Sequence, residues 1–326
     1  MVKRLFLLIV LLLAAAGVAG YRYFGAYRGF REPVFVDIGH GMSSRDIAAE
    51  LARQGVVRAD WIFLVVRALH PQAKLQAGEY RFGEPQTPWQ IFGKIQRGEI
   101  FYQDFTVPEG SNIFDIATLA DSLGGGLKSG DFLRAAADPA SIRDLDPAAP
   151  SLEGYLFPST YRVTHHTTAA QLCHMMTMEF RKRWHALAGA DVHRATTLAS
   201  LVEKETGSAA ERAMVASVFE NRLARNMPLQ CDPSTVYAAL LENRYRGTIY
   251  KSDLASQNPY NTYMHAGLPP GPIANPGVAS LTAALHPATT DYLYFVARPS
   301  APGSHHFSAT LAEHEKAVAT FRGARP

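Results

Sequence analysis

The chain of 326 residues is 47% hydrophobic, 19% charged and 10% aromatic, which is enough apolar material for a buried core and enough length for two domains. Thirty-two Lys and Arg against 29 Asp and Glu leave a net charge of +3, too mild a surplus to indicate nucleic acid as a partner. The two cysteines, Cys173 and Cys231, lie far apart and outside any C-x-x-C pairing. That excludes a disulfide scaffold, a cysteine zinc site and an iron–sulfur cluster.

After Lys3 and Arg4, an unbroken apolar run from Leu5 to Gly20 leads into Tyr21, Arg22, Tyr23 and Phe24. In a helix this run rises roughly 24 Å, near the short limit for a bilayer core, and the flanking tyrosines with a snorkelling Arg22 extend it. Residues 1–24 therefore read as a single-pass anchor in the cytoplasmic (inner) membrane, with the leading cations on the cytoplasmic side. A cleaved secretory signal, cut near Ala14–Ala16, is the competing reading. Either way the remainder is exported to the periplasm, because no later stretch is long and apolar enough to span again.

Residues 25–33, ending in Pro33, read as a tether. From Val34 the pattern becomes globular. Val34, Val36 and Ile38 alternate as in a half-buried strand, Gly39–Gly41 turns, and Ser43 or Ser44 caps a helix with Ile47, Ala48 and Leu51 on one face. A similar unit returns at Phe105–Pro108, where Asp115-Ile116-Ala117 repeats Asp46-Ile47-Ala48 at an offset of 69 residues. Between the copies, residues 77–82 read as a strand, and Thr87-Pro88-Trp89 opens a helix with Ile91, Phe92 and Ile95 on one side. The predicted fold class is α+β: a small-element region over 34–145, a boundary in the Asp-, Pro- and Ala-rich stretch 138–150, and a second α+β domain over 146–326. The glycines at 124–126 lack the spacing and strand-to-helix context of a phosphate loop.

The chemistry falls in the C-terminal half. Leu198, Leu201, Val202 and Glu205 occupy positions i, i+3, i+4 and i+7, so a carboxyl closes an otherwise apolar helical stripe. Held against apolar surface, such a group favours its neutral form and is suited to donate a proton near neutral pH; a buried glutamate tied to an arginine or amide is the bland alternative. Glu203, rotated about 200° away, is expected on the solvated face with Lys204. Residues 151–161 (SLEGYLFPSTY) combine Glu153 with aromatic residues as a rigid ledge or as a corner of the core. Gln230 and Asp232 precede a helix expected at 234–241, where Asp232 is equally readable as a helix cap. The loops 258–263 and 268–277, dense in Pro, Gly and Asn, are able to present Asn261, Tyr263 and Asn275. Aromatic faces and amides suit a sugar polymer.

Other chemistries fail on spacing. His314-Glu315 is not followed by the second histidine of a zinc protease helix, the pairs His165-His166 and His305-His306 cannot both face one metal, and neither a G-x-S-x-G elbow nor a dinucleotide fingerprint is present. Acid–base chemistry by carboxylate survives, with no metal or cofactor called for.

At these residues the sequence resembles the endolytic lytic murein transglycosylase family, membrane-anchored enzymes that cut peptidoglycan glycan strands. The carrying motifs are LEGYLFPSTY (152–161), LASLVEKETG (198–207), VFENRL (218–223), LQCDPSTVY (229–237), YNTY (260–263), GLPPGPIANPG (267–277) and AALHPATTDYLYFVA (283–297). The resemblance implies a LysM-type module in the N-terminal part and the catalytic role for Glu205, the second glutamate of EKET. Ser159 and Cys231 depart from it, standing where the family usually has aspartate and threonine.

The resemblance further implies that Glu205 protonates the bond between N-acetylmuramic acid and N-acetylglucosamine, then accepts the muramoyl 6-hydroxyl proton as a 1,6-anhydro ring closes. Glu153, Gln230, Asp232, Asn261 and Tyr263 are the candidate substrate-binding residues. Expected partners are glycan strands, the membrane and peptidoglycan synthases. Two rival readings are a hydrolytic muramidase, with Glu153 or Asp232 as second carboxylate, and a non-catalytic wall-binding anchor.

Overall fold

In the computed structural model, which describes residues 2–124, 126–298, 301 and 303–323, the N-terminal apolar run forms helix α1 (Val2–Phe24). Its stretch Phe6–Phe24, 19 residues of mean hydropathy 1.9, is long and apolar enough for a membrane anchor or a signal sequence. The chain divides into two compact units, 1–103 and 104–326.

In the first unit, α1 is followed by β1 (Val34–Ile38), α2 (Ser44–Arg53), α3 (Asp60–Leu69), β2 (Gly78–Phe82) and α4 (Pro88–Arg97). The strands pair antiparallel, from Val34 opposite Phe82 to Ile38 opposite Gly78. α2 starts where Ser43 accepts from the Asp46 N–H while Asp46 accepts from the Ser43 N–H, a reciprocal cap that satisfies two otherwise orphaned donors. α4 repeats the device with Thr87 and Gln90, and stops at Gly98, whose left-handed φ of 66° suits glycine. Val36, Ile38, Leu51, Phe63, Tyr80, Phe82 and Ile91 fill the core, each large apolar side chain contributing about 1.5–3 kcal/mol by leaving water. α3 was not anticipated, because the run Trp61–Val66 is apolar throughout and shows no helical alternation.

The second unit opens within β3 (Gln103–Thr106), from its second residue on, followed by α5 (Ile113–Ser122), α6 (Ser129–Ala137), β4 (Thr160–Val163), α7 (Ala169–Leu187), α8 (Val192–Glu205), α9 (Arg212–Ala224), α10 (Asp232–Leu241), α11 (Lys251–Leu254), α12 (Val278–Leu285), β5 (Tyr294–Ala297), β6 (His305–Ser308) and α13 (Leu311–Gly323). β3 pairs with β4, and β5 pairs antiparallel with β6. Phe105, Val107, Ile116 and Phe132 share one core with Leu156, Phe180, Leu198 and Leu201. Residues 104–145 thus belong to the second unit, and the expected boundary at 138–150 falls inside it. The two copies of the strand–turn–helix pattern lie in different units, one per core.

α8 packs against α12, α9 and α10 and is buried along Leu198, Ala199, Leu201 and Val202. The segment 151–161 is the corner of a core rather than an exposed ledge: Tyr155 and Leu156 are fully buried. Gly154 there has φ 87°, and a Cβ on it would lie 2.4 Å from Pro272, so the loop 268–277 closes over this position only above a glycine.

Candidate active site

Glu205 is the last residue of α8, and Thr206 ends the helix by bonding its N–H to the Val202 carbonyl. The half-buried Glu205 side chain lines a cavity of about 260 Å³ together with Arg222 of α9, Gln230, Asp232, Tyr263 and His314 of α13. Phe219 and Phe295 form its apolar wall. Burial raises the pKa of Glu205, and the neighbouring Asp232 adds to this; a hydrogen bond from Cys231 and the charges of His305 and Arg222 act in the opposite sense. The balance keeps a proton on the carboxyl beyond the range of an ordinary glutamate.

Each partner is placed by a local reason. Cys231, fully buried beside the N-terminus of α10, gives its thiol to Glu205, and the same burial and contact push that thiol's pKa well up. It is not paired with Cys173, which is also free and buried. Gln230 has φ 50°, a conformation that costs a non-glycine residue. It is pinned by its own N–H on the Thr262 carbonyl (3.1 Å) and by the Cys231 N–H on Thr262 Oγ1 (2.9 Å). Asp232 is the first residue of α10, one place after the cap position, which Cys231 holds, and its Oδ1 accepts from Tyr263 Oη at 2.5 Å, so it stands as a cavity carboxylate rather than a helix cap.

Arg222 was not anticipated. Among the described residues its guanidinium, 9% exposed, donates only to carbonyls: Nε to Leu293 (2.6 Å), Nη1 to Leu229 (2.8 Å) and Pro228 (3.3 Å). A buried cation held by neutral acceptors keeps its charge directed at the cavity. His314 was considered only as a zinc ligand, yet it lies on this wall, its ring stacked on Tyr294 at 5.1 Å and 22°. Burial and then Arg222 lower its pKa, so the imidazole is neutral. Its Nδ1 is sealed and bonds nothing among the described residues, which leaves Nε2 as the nitrogen available to a ligand. Helical spacing alone did not reveal either residue, since α9 and α13 reach the cavity only through tertiary packing.

Two expected substrate contacts lie elsewhere. Glu153 is 1% exposed; it accepts from the Ile113 N–H (2.9 Å) and from Asn275 Nδ2 (2.8 Å), and burial lifts its pKa to about 8. Asn261 is fully buried and organises its own loop, Nδ2 donating to the carbonyls of Asp253, Leu254 and Ser256. Asn275 is buried likewise and accepts from the Leu156 N–H. Glu203 also departs from expectation: its side chain is 6% exposed, accepting from Arg212 Nη2 (3.4 Å) and from the Gly277 N–H (2.9 Å) at the start of α12. It does point away from the cavity, but into a buried tie and not into solvent.

A wider hollow of about 420 Å³ runs between β5 and α13, edged by Arg298, His306, Glu313 and Lys316. Its carboxylate, Glu313, caps α13 through the Ala309 and Thr310 N–H groups and has a lowered pKa, so it offers no acid. Of these two hollows, the Glu205 cavity is the one in which a proton-holding carboxyl stands with a second carboxylate, a cation and neutral donors, the groups that acid–base chemistry uses.

The YceG-like family matches residues 36–320, and the chain belongs to that family. An endolytic murein transglycosylase of Bacillus subtilis (strain 168) is 34% identical over 307 residues, covering 87% of this chain and 83% of that protein. One of Streptococcus pneumoniae (strain D39) is 28% identical over 352 residues, covering 96% of this chain and 64% of the longer relative. The crystal structure of a YceG-like protein from Listeria monocytogenes superposes with a TM-score of 0.57 at 34% identity, over 88% of this chain and 99% of that one.

Proposed function

We propose that the protein is an endolytic lytic transglycosylase of peptidoglycan with Glu205 as its acid and base. The observation that carries this is Glu205 itself, proton-holding and half-buried on the cavity wall, in a chain whose curated relatives are named endolytic murein transglycosylases. The Glu205 proton passes to the oxygen between N-acetylmuramic acid and N-acetylglucosamine as the C1–O bond breaks. The resulting carboxylate takes the proton of the muramoyl 6-hydroxyl as O6 bonds to C1, so a 1,6-anhydro end forms and no water is consumed. Proton transfer of this kind supplies about 10² to 10⁴ in rate. The carboxylate of Asp232, fixed by Tyr263, faces the positive charge that develops at C1, and Arg222 steadies the Glu205 anion between the two steps. Gln230 and the Nε2 of His314 orient the sugars.

The second unit is then the catalytic domain. The first unit, with strand, two helices and strand in order, serves as a LysM-type wall-holding module behind an α1 anchor in the inner membrane, with the rest of the chain periplasmic. Cleavage beside the membrane would limit the length of strands delivered by peptidoglycan synthases. The test is mass analysis of glycan ends released by the wild type and by Glu205→Gln. Anhydro ends from the wild type and none from the variant are expected. Reducing ends that incorporate water would make it a hydrolytic muramidase with Asp232 as second carboxylate, and a wild type that cleaves nothing would make it a wall-binding anchor.

A further inference from the structure

In the first unit, large apolar side chains are exposed outside α1 at Trp61 (44%), Trp89 (45%), Val65 (40%), Leu69 (65%) and Tyr102. Trp61, Val65 and Leu69 follow one another at i, i+4 and i+8 along α3, so they form one stripe, turned by about 100° from the centre of the buried face of Ile62, Phe63 and Val66. Trp89 stands in the first turn of α4. A soluble domain gains nothing from keeping two tryptophans and two aliphatic side chains together in water.

The end of α1 shows what covers them. Phe24 packs its ring edge-on against Trp61 at 5.9 Å and meets Trp89 at 5.3 Å with the rings tilted by 48°, and Tyr23 meets Trp61 at 5.5 Å. The interfacial layer on each side of a bilayer core is about 5–8 Å thick, so side chains in ring contact with the last residues of a spanning helix lie within or beside that layer. Tryptophan and tyrosine are the residues that settle there, their rings in the acyl boundary and their polar atoms among headgroups. Arg58, just before α3, lies over the Tyr27 ring at 4.2 Å, and the Tyr27 N–H bonds the Gln86 carbonyl close to Trp89. The exposed Arg58 therefore stands beside the aromatic patch, where lipid phosphates would meet it.

We propose that this face of the first unit, formed by Trp61, Val65, Leu69 and Trp89, lies in the interfacial layer of the membrane that α1 enters, with lipid as its partner. The inference rests on reading α1 as a retained anchor. Contact at the patch holds the first unit against the bilayer surface instead of leaving it on a free tether.

The full chain, reconstituted in vesicles of phosphatidylethanolamine and phosphatidylglycerol, tests it. Trp184, 4% exposed in the core of the second unit, is the internal standard among the three tryptophans. Single-tryptophan variants are made by Trp→Phe substitution at the other two positions, and lipids brominated near the headgroup end of their acyl chains serve as quencher. Emission from Trp61 and from Trp89 is expected to fall by half or more, with Trp184 unchanged. The double substitution Val65→Gln, Leu69→Gln should restore much of the Trp61 emission while α1 still holds the chain on the vesicles. A chain that floats with the vesicles while Trp61 and Trp89 are quenched no more than Trp184 overturns the proposal alone. One that fails to float overturns it together with the anchor reading.

Discussion

At Glu205 the surrounding apolar helix faces and Asp232 favour the neutral carboxyl, while the Cys231 thiol, His305 and Arg222 favour the anion, and burial prevails. The folded chain therefore keeps a proton that the unfolded chain loses near pH 4.5. Its contribution to stability is complete below that pH and is lost as pH rises through the raised folded value. Glu205→Gln removes the penalty of ionising there, so its melting temperature should gain on the wild type as pH is raised from 5 to 8. The same substitution should lower glycan cleavage by at least about 100-fold. A constant melting difference across that range would show that the carboxyl is not held protonated. His314 gives a second residue-level prediction. Glutamine can place its amide near the position of Nε2 and asparagine cannot, so His314→Gln should retain most of kcat/KM while His314→Asn loses about tenfold, the worth of one neutral hydrogen bond to substrate. Equal kinetics in both variants would remove His314 from the sugar contacts.

Helix α8 reaches the cavity at its C-terminal end because buried polar ties hold the loops around it. Glu203 receives the Gly277 N–H at the head of α12, and Asn275 spans Glu153, the Leu156 N–H and the Ser111 carbonyl. Glu153→Gln should therefore act on stability, since an amide nitrogen cannot accept where both carboxyl oxygens now do. A loss of about 1–3 kcal/mol is expected in denaturant unfolding. A stable Glu153→Gln protein with impaired cleavage would return Glu153 to the substrate. Gly154→Ala combines an unfavourable φ with a collision against Pro272 and should destabilise the second unit beyond the roughly 1 kcal/mol typical of a point substitution.

Across the whole molecule, the cavity residues from Glu205 to His314 all belong to the second unit. Phe63, fully buried in the first core, offers a separate handle: Phe63→Ala should cost the first unit roughly 3–5 kcal/mol. Turnover of short soluble glycan fragments should stay at the wild-type level, as followed by chromatography of the products. A parallel fall in turnover would show that the cavity depends on the first core.

Strand β1, helices α2 and α4, the apolar α1 and the inward carboxyl of α8 were legible in the sequence because each is written in a local period, a cap or an unbroken run that needs no distant partner. Glu205 was found in this way, four residues beyond Leu201 on one helical face. Arg222 and His314 were not, because what makes them notable is a carbonyl cage in one case and a sealed ring nitrogen in the other, assembled from segments up to 71 residues apart in the chain. The same limit misplaced Glu153, Asn261 and Glu203: residue type and loop composition suggest polar surface, but only packing decides whether a carboxyl or amide meets solvent or a backbone N–H. The sequence alone thus determined the period, the caps and the proton-bearing side chain. Tertiary structure decided which polar groups share a cavity with it, because desolvation and hydrogen bonding depend on neighbours in space rather than along the chain.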